Sequence, residues 1–230
     1  MSKGFTYGVL PEVPPPDVIE ELKDYEVAWI SDSMELHLMD SAIGAVWSGV
    51  PRVAGPAVTV TVPPGDFLMI AEALTTVRPG DVLVIDARGD CLRAVWGEYF
   101  SAWAQGLGLA GVVIDGATRD VGDIGKLGFP VFTRGTTSRK PTMTGPGEVN
   151  VPVSCGGVCV VPGDIVVADG EGVIVVPLRK LEKVLASVRA TAERERSHNG
   201  VQPGDREAYL GFYEMGFAPR IAQLRGETGE

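Results

Sequence analysis

The feature that most limits how this chain can fold is an alternation of short apolar runs with helical patterns between residues 79 and 136. PGDVLVID is a turn followed by an apolar run that ends at Asp86, and GVVID repeats the pattern at residues 111–115. Between the two runs, GEYFSAWAQGLGLA has a helical pattern. After the second run, RDVGDIGKLG predicts a short helix closed by Gly128, and FPVFTRG then predicts a third strand. Such alternation indicates parallel strands joined by helices, with both faces of the sheet covered. We expect a ligand crevice at the carboxyl ends of these strands.

The segments before this alternation predict a helix, a strand and a second helix. A proline run precedes Asp17, which can act as the N-cap of a helix that places Ile19, Leu22 and Val27 near one face. Further along, AVTVTV alternates valine and threonine with a period of two, which is typical of a half-buried strand. PPGDFLMIAEALTTV then predicts a helix capped by Asp66.

Beyond residue 141 the pattern changes to short valine-rich runs separated by Gly, Pro and Asp, which predict antiparallel or mixed β-structure in a second layer. A long amphipathic helix and a broken helix are expected to follow. We therefore expect an α/β fold in which mixed parallel and antiparallel sheets are flanked by helices. It forms one domain over residues 1–199, followed by a helical extension over residues 200–230. The extension is expected to pack on the domain or on a neighbouring subunit through its aromatic residues Tyr209, Phe212, Tyr213 and Phe217.

Composition limits the class of partner. The chain has 230 residues and 45% apolar content, which is enough for one sizeable core. Its 20 basic and 30 acidic residues give a net charge of −10, which disfavours direct binding to nucleic acid or to an anionic membrane surface. A small anionic substrate is compatible with this charge, because an arginine and a metal act locally while salt screens distant charges within about 10 Å.

The cysteine content indicates a reducing environment. Cys91, Cys155 and Cys159 cannot all pair with one another, and their spacing lacks the second pair that a structural zinc site needs. We interpret them as buried thiols. The chain starts without a long apolar signal segment, and no stretch approaches the roughly 20 apolar residues that span a bilayer. We therefore expect a cytoplasmic protein.

The first candidate ligand group is the helix start at Gly97, Glu98, Tyr99 and Phe100. The free backbone N–H groups of a helix start form an anion site, and a glycine lets a ligand approach the backbone closely. The alternative is that Gly97 only relieves crowding between the helix and the strand.

The second candidate group is the Arg119–Asp120 pair, which follows the GVVID strand. A guanidinium offers two parallel donors to a carboxylate, so Arg119 can complete a site for a 2-oxo acid; the alternative is an i,i+4 contact with Asp123. Asp120 is a suitable oxygen ligand for Mg²⁺ or Mn²⁺, which keep several waters. Asp123 can hold a metal-bound water, or it can simply favour the helix N-terminus. His37 and His198 form no cluster that would bind a softer metal.

Several common catalytic motifs are absent from the sequence. It has no G-x-S-x-G elbow, no G-x-x-x-x-G-K-[ST] phosphate loop and no H-E-x-x-H. GLGLAG at residues 106–111 matches the dinucleotide-binding spacing, but it precedes a strand instead of following one. We therefore do not interpret it as a dinucleotide site.

The stretches PGDVLVIDARGD, AVWGEYFSAWAQ, GVVIDGATRDVGDIGKLGFPVFTRGTT and GGVCVVPGDIVVADGEGVIVVP resemble the core of a known family. That family contains the 4-hydroxy-4-methyl-2-oxoglutarate aldolases and the regulator of ribonuclease E activity A. The similarity covers roughly residues 25 to 180. It implies an RraA-like β/β/α sandwich of the swivelling type, assembled as a homotrimer or a dimer of trimers with sites at subunit boundaries.

The resemblance also implies roles for individual residues. By position, the backbone of residues 97–100 and the Arg119 side chain would bind a pyruvate-like group, and Asp120 would bind the divalent metal. Asp123 matches the acidic residue that the aldolases carry three places later. Many relatives have two leucines where this chain has Tyr99 and Phe100, which changes the shape of the pocket.

The activity implied is metal-dependent cleavage of 4-hydroxy-4-methyl-2-oxoglutarate-type 2-oxo acids to pyruvate through an enolate, with decarboxylation of oxaloacetate as a second activity. The metal and Arg119 would stabilise the charge that develops on the enolate. Three groups are candidates for the general base that removes the C4 hydroxyl proton: a metal-bound water, Glu98 and an acid from the neighbouring subunit. The alternative function is that of a non-catalytic regulator that binds a ribonuclease or a helicase.

Overall fold

The computed structural model describes residues 4–34, 37–198 and 204–226. These residues belong to two compact units, Met1–Val188 and Arg189–Glu230. The strands are β1 (Phe5–Tyr7), β2 (Gly44–Ala45), β3 (Val53–Thr61), β4 (Val82–Trp96), β5 (Gly111–Thr118), β6 (Val131–Thr136), β7 (Gly147–Val149), β8 (Val153–Cys155), β9 (Val158–Val160), β10 (Ile165–Asp169) and β11 (Gly172–Val176). The helices are α1 (Pro16–Leu22), α2 (Val27–Asp32), α3 (Leu68–Ala73), α4 (Glu98–Gly106), α5 (Val121–Leu127), α6 (Leu181–His198), α7 (Arg206–Gly216) and α8 (Ala218–Arg225).

A mixed sheet forms the centre of the first unit. Its strands run in the order β1-β7-β3-β4-β5-β6-β2, and β10 pairs with both β3 and β11. The neighbouring strands β3, β4, β5 and β6 are parallel, as the alternation of strands and helices predicts. The pairs β3–β7, β3–β10, β10–β11 and β2–β6 are antiparallel. The expected mixture of parallel and antiparallel strands is confirmed.

Apolar side chains cover both faces of this sheet. Leu83 and Ile85 belong to a buried cluster with residues of α3, α4 and α5. Val82 and Val84 belong to a second cluster with residues of β8, β9, β10 and β11. Alternate residues of a strand point to opposite faces, so the two clusters lie on opposite sides of the sheet. The unit therefore has a helical layer, a central sheet and a second β layer.

The prediction that AVTVTV is a half-buried strand is wrong. All nine residues of β3 are buried. Because both faces of the sheet are covered, the threonines are enclosed together with the valines. Thr59 retains a hydrogen bond by donating its hydroxyl to the Val151 carbonyl at 2.6 Å, which offsets the cost of burying it.

The strand expected to end at Asp86 continues to Trp96. Its register against β5 shifts after Asp86, and Arg88 and Gly89 have positive φ angles of 58° and 70°. Beyond this irregularity β4 pairs with β5 again, and β4 ends with Trp96 beside Thr118. The apolar run stops at this irregularity, so the sequence pattern did not show the continuation.

Two predicted helix starts also differ from the structure. The helix expected from Asp17 is two short helices, and α1 begins at Pro16 without a side-chain cap, so Asp17 lies in its first turn. A proline is well suited to the first turn because it has no N–H to satisfy. Phe67 occupies the cap position of α3, whereas Asp66 accepts a hydrogen bond from the Leu68 N–H at 3.0 Å.

The three cysteines are free thiols in different environments. Cys155 is buried, and burial raises the pKa of its thiol. Cys91 and Cys159 are exposed, so the prediction of a buried thiol is wrong for these two residues. Cys159 is exposed because it occupies the outward-facing position of β9.

The second unit contains the broken helix expected near the C-terminus. Asp205 caps α7 by accepting a hydrogen bond from the Ala208 N–H at 2.9 Å. The break falls at Phe217, which ends α7 and precedes α8. Ring pairs with centroids 5.6 to 6.4 Å apart join the aromatic residues Tyr209, Tyr213, Phe212 and Phe217. The packing expected for this segment stays a prediction. Among the described residues, no helix has the length and apolarity needed to cross a membrane.

Asp66 anchors the segment that follows β6. The residue is 1% exposed, and its carboxylate accepts hydrogen bonds from the N–H groups of Leu68, Thr144 and Gly145 and from the hydroxyls of Thr142 and Thr144. Burial by itself would raise the pKa of Asp66, but the hydrogen bonds outweigh burial and lower it. Asp66 therefore stabilises the fold above the unfolded-state pKa of about 3.9, and this contribution is lost as the pH falls through the lower folded-state pKa.

We expect Asp66→Ala to lower the free energy of unfolding by about 3 kcal/mol at pH 7, because it leaves several buried donors without an acceptor. Urea denaturation followed by circular dichroism measures this change. Asp32→Ala is the matched control, because Asp32 is exposed at the end of α2. A difference from the control below about 1 kcal/mol would show that the carboxylate does not anchor this segment.

Candidate active site

The candidate site lies where β4 and β5 end side by side. Trp96 pairs with Thr118 in the sheet, and the Arg119 N–H donates to the Trp96 carbonyl at 3.1 Å. The chain continues from Trp96 through Gly97 into α4, and from Thr118 through Arg119 and Asp120 into α5. The two segments selected from the sequence therefore meet at the carboxyl edge of the parallel strands.

Gly97 passes very close to the Asp120 carboxylate. A β-carbon on Gly97 would lie 2.7 Å from Asp120 Oδ2 and 3.2 Å from Arg119 Cγ. The φ angle of −176° is extended backbone that any residue can adopt, so the lack of a side chain is the property that matters. The neighbouring Glu98 N–H is 3.4 Å from the same oxygen. Gly97 makes room for the side chains of the site.

Asp120 has a left-handed backbone, with φ 58° and ψ 34°, at the N-cap position of α5. This conformation costs most L-residues about 1–2 kcal/mol, although aspartate tolerates it better than most. The Asp120 carbonyl accepts hydrogen bonds from the N–H groups of Asp123 and Ile124, each at 3.0 Å. The carboxylate does not cap α5; it contacts Glu98 and Arg119 instead.

The contact between Arg119 and Asp120 leaves ligand-binding atoms available. Arg119 Nε donates to Asp120 Oδ2 at 3.2 Å, and the two side chains are 37% and 34% exposed. Within the part of the chain that the structure describes, no other hydrogen bond is found for the Arg119 guanidinium or for Asp120 Oδ1. The terminal nitrogens of Arg119 can therefore bind a carboxylate, and Asp120 Oδ1 can bind a cation.

Asp123 pairs with Lys126 and not with Arg119. Asp123 Oδ1 accepts a hydrogen bond from Lys126 Nζ at 2.7 Å, which raises the pKa of the lysine. The alternative i,i+4 contact between Arg119 and Asp123 is not found. The Asp123 side chain is half exposed, and its role near a metal stays a prediction.

A cavity of about 460 Å³ opens at the Arg119–Asp120 pair. Its volume is within the usual range for small-molecule sites. Five of the residues predicted for the site line it, namely Gly97, Tyr99, Phe100, Arg119 and Asp120. Glu98 is not part of the lining and reaches this corner through its backbone N–H.

Lys140 adds a positive charge to the cavity that the sequence analysis did not find. The segment after β6 holds the Lys140 backbone in place, because its carbonyl accepts a hydrogen bond from Arg93 Nη1 at 2.7 Å. Next to it, the Ala94 N–H donates to the Arg139 carbonyl at 3.0 Å. The surrounding sequence, SRKPTMTG, has no helical or strand pattern, so it gave no signal for this position.

Aromatic rings form most of the remaining lining. Phe100 stacks on Trp96 at 5.2 Å and meets Phe67 and Trp103 edge to face at 5.6 and 5.5 Å. Phe67, Trp96 and Trp103 were not selected from the sequence. Phe100 and Trp103 are three residues apart on α4, and this spacing could have indicated a shared face.

A second cavity of about 470 Å³ also reaches Arg119 and Asp120. It is lined by hydroxyl side chains of Thr136, Thr137 and Ser138. The pair is therefore accessible from an aromatic side and from a polar side.

The donor set at Asp120 fits one kind of metal site. Across residues 4–34, 37–198 and 204–226, no group of three or more His, Cys, Asp or Glu side chains is arranged to hold a metal ion. A single carboxylate at Asp120 is too few protein ligands for a cation that is held entirely by protein. A single carboxylate does fit Mg²⁺ or Mn²⁺, which can bind through one carboxylate and complete their coordination with waters and substrate oxygens.

Comparison with known sequences gives a consistent match. The family model described as RraA-like, Aldolase/RraA, matches residues 27–175, which include both segments of the site. A protein of Halalkalibacterium halodurans, provisionally named 4-hydroxy-4-methyl-2-oxoglutarate aldolase, is 43% identical over 174 residues, or 75% of this chain and 82% of that protein. An uncharacterised protein of Methanocaldococcus jannaschii is 33% identical over 176 residues, covering 76% and 84% of the two chains.

Solved structures have the same fold. RraAS2 of Streptomyces coelicolor, described as an unusual member of the RNase ES inhibitor RraA protein family, has a TM-score of 0.75 and 30% identity over 83% of this chain and all of that chain. The RNA-processing inhibitor RraA of Thermus thermophilis has a TM-score of 0.60 and 27% identity, covering 66% and 92% of the two chains. The expected β/β/α fold is confirmed.

We expect Gly97→Ala to weaken pyruvate binding about tenfold or more, because the new methyl group would displace the Asp120 carboxylate. Calorimetric titration with pyruvate in the presence of Mg²⁺ measures the affinity. Gly106→Ala is the matched control on the same helix, because a β-carbon there meets nothing within 4 Å. Unchanged pyruvate affinity in Gly97→Ala would rule out the close approach as a requirement for binding.

Proposed function

The chain belongs to the RraA-like family, and we propose that it is a divalent-metal-dependent class II pyruvate aldolase. Its substrates are 2-oxo acids of the 4-hydroxy-4-methyl-2-oxoglutarate type, and decarboxylation of oxaloacetate is a second activity. The observation that carries this proposal is the Arg119–Asp120 pair at the mouth of a cavity, with the guanidinium terminus and one carboxylate oxygen available to a ligand. The provisional name of the Halalkalibacterium halodurans relative supports the same activity.

Arg119 and the start of α4 bind the carboxylate of the substrate. The Arg119 terminal nitrogens donate two parallel hydrogen bonds to it. The first turn of α4 has no side-chain cap, so the N–H groups of Tyr99 and Phe100 have no partner within the helix and add donors beside the cavity. Lys140 adds a further positive charge, which offsets the overall negative charge of the chain at this point.

Asp120 is the residue that would hold the divalent cation, through Oδ1. A bound Mg²⁺ or Mn²⁺ would supply Lewis-acid stabilisation of negative charge on the keto oxygen. Arg119 orients the Asp120 carboxylate by donating to Oδ2. Asp123 is proposed to support this site from the first turn of α5.

The reaction breaks the C3–C4 bond of the 2-oxo acid. In 4-hydroxy-4-methyl-2-oxoglutarate, a base removes the C4 hydroxyl proton and C4 becomes a ketone. The electrons of the broken bond form the enolate of pyruvate, which gains a proton at C3. In oxaloacetate the leaving group is CO₂ and no such base is needed. The candidate bases for the aldol substrate are the Glu98 side chain, an acid from a neighbouring subunit and a water that a bound cation would hold.

Regulation of RNA processing is the second candidate function. The Streptomyces coelicolor and Thermus thermophilis proteins are described as ribonuclease or RNA-processing inhibitors, and their folds match this one. A regulator of that kind binds a ribonuclease or a helicase through its surface and needs no metal in a cavity. Metal-dependent pyruvate release separates the two candidates.

Assembly and location complete the proposal. We propose a homotrimer or a dimer of trimers with sites at subunit boundaries, and a cytoplasmic location. The absence of a disulfide among the three cysteines, all of which are free, supports a reducing compartment. Sedimentation measurements distinguish the two assemblies.

We expect pyruvate release from oxaloacetate and from 4-hydroxy-4-methyl-2-oxoglutarate in the presence of Mg²⁺ or Mn²⁺, measured with a coupled dehydrogenase assay. EDTA or Asp120→Asn is expected to lower kcat/KM at least about 100-fold, because the electrostatic stabilisation of the developing charge is lost. Asp32→Asn serves as the control for a lost surface carboxylate. No metal-dependent release from either compound, together with binding to a ribonuclease, would instead establish the regulator.

We expect Arg119→Ala to weaken the binding of oxaloacetate at least about tenfold while changing Mn²⁺ affinity by less than about threefold, because Arg119 binds the substrate and Asp120 binds the metal. Steady-state kinetics give the first value, and electron paramagnetic resonance of free Mn²⁺ gives the second. Arg225→Ala, at the exposed end of α8, is the control. Equal losses of both affinities would show that the division of roles is wrong.

A further inference from the structure

The cavity at Arg119 and Asp120 has far more apolar surface than a small keto acid needs. Apart from Arg119, Asp120 and Lys140, its lining consists of apolar or aromatic residues and Gly97. The aromatic members are Phe67, Trp96, Tyr99, Phe100 and Trp103. A three-carbon keto acid held at Arg119 would occupy only a small part of about 460 Å³, so most of these rings would face the rest of the substrate.

The inner rings are fixed in position. Phe100 is held between the stacked Trp96 ring and the Phe67 and Trp103 rings that it meets edge to face. Trp96 Nε1 donates to Ser101 Oγ at 2.8 Å, which satisfies the indole N–H and prevents the ring from turning. Aromatic surfaces that are rigid before binding lose little entropy when a ligand arrives.

The outer rings have surface available for stacking. Tyr99 is 70% exposed and Trp103 is 58% exposed, and their centroids are 6.5 Å apart at an angle of 39°. Planar groups stack on such rings in offset or edge-to-face arrangements. Both residues lie on α4, whose start carries the N–H groups beside Arg119.

The polarity of the lining favours a substrate with an apolar group on C4 over a substrate that is charged at both ends. A second carboxylate placed against the ring faces would lose part of its hydration and gain no hydrogen bond from them, which is unfavourable. Lys140 is the single cation of the lining besides Arg119 within the described residues, and it is exposed. A planar apolar group has no hydration of this kind to lose, and it would gain stacking contacts with the same rings.

We propose that the preferred substrate is a 4-hydroxy-2-oxo acid that carries an aryl group on C4. This inference rests on the aldolase function proposed above. The C4 hydroxyl loses its proton, the C3–C4 bond breaks, C4 leaves as an aryl aldehyde, and C3 gains a proton to give pyruvate. Arg119 holds the carboxylate, and the rings of Tyr99, Phe100 and Trp103 hold the aryl group.

The test compares two compounds with the full chain and Mg²⁺. 4-Hydroxy-2-oxo-4-phenylbutanoate carries the aryl group, and 4-hydroxy-4-methyl-2-oxoglutarate carries a second carboxylate in its place. We expect kcat/KM to be at least about tenfold higher for the phenyl compound, from pyruvate release in the coupled assay. A ratio of one or less would overturn the inference.

Variants of the outer rings locate the preference. The measured quantity is kcat/KM for the phenyl compound divided by kcat/KM for 4-hydroxy-4-methyl-2-oxoglutarate. Trp103→Leu and Tyr99→Leu are each expected to lower this ratio about tenfold, because leucine offers no ring for stacking. Tyr7→Leu is the matched control, because Tyr7 is 56% exposed and does not line the cavity. A ratio that stays unchanged in both cavity variants would assign the preference to another surface and contradict the inference.

A separate measurement distinguishes failure of the inference from failure of the proposed function. Exchange of the pyruvate methyl protons for deuterium, followed by NMR with Mg²⁺, requires the enolate but no C4 substituent. Exchange without a preference for the phenyl compound overturns the inference and leaves the aldolase function in place. If there is no exchange, both are wrong.

Discussion

The approach of the Gly97 backbone to Asp120 Oδ2 is the contact on which the site depends. It leaves no space for a β-carbon, which would lie 2.7 Å from that oxygen. The approach is possible because β4 and β5 run parallel and end side by side, with Trp96 beside Thr118. Two helix starts are thereby placed side by side, one with N–H groups that have no partner within the helix and the other with a guanidinium and a carboxylate. The pairing of these two strand ends brings the groups of the site together, and the side chains add specificity.

Strain and anchoring keep this geometry fixed. Asp120 has an unfavourable left-handed backbone, held by hydrogen bonds from the first turn of α5, and the carboxylate is thereby directed towards Arg119 and Glu98. On the other side of the cavity, Asp66 anchors the segment that carries Lys140. The Asp120 backbone carries a conformational cost in the folded protein, which the large two-sided core of the sheet can support.

Local sequence patterns were sufficient for some parts of the molecule and insufficient for others. The apolar run GVVID placed Arg119 and Asp120 just beyond a buried strand, and Gly128 marked the end of α5 as a glycine stop signal. The continuation of β4 to Trp96 did not follow, because its irregular middle breaks the pattern. Lys140 and Phe67 were missed because loops bring them to the cavity from distant parts of the sequence, and such contacts leave no local signal. The burial of Thr59 likewise depends on which layers cover the sheet.

The central claim is that Asp120 binds a cation and Arg119 binds the carboxylate of the same keto acid. Anomalous diffraction from crystals soaked with Mn²⁺ and pyruvate tests it directly. The claim predicts an anomalous peak within coordination distance of Asp120 Oδ1, with the pyruvate carboxylate on the terminal nitrogens of Arg119. Fully occupied Mn²⁺ or pyruvate elsewhere in the crystal, with Arg119 and Asp120 bonded only to each other, would contradict it.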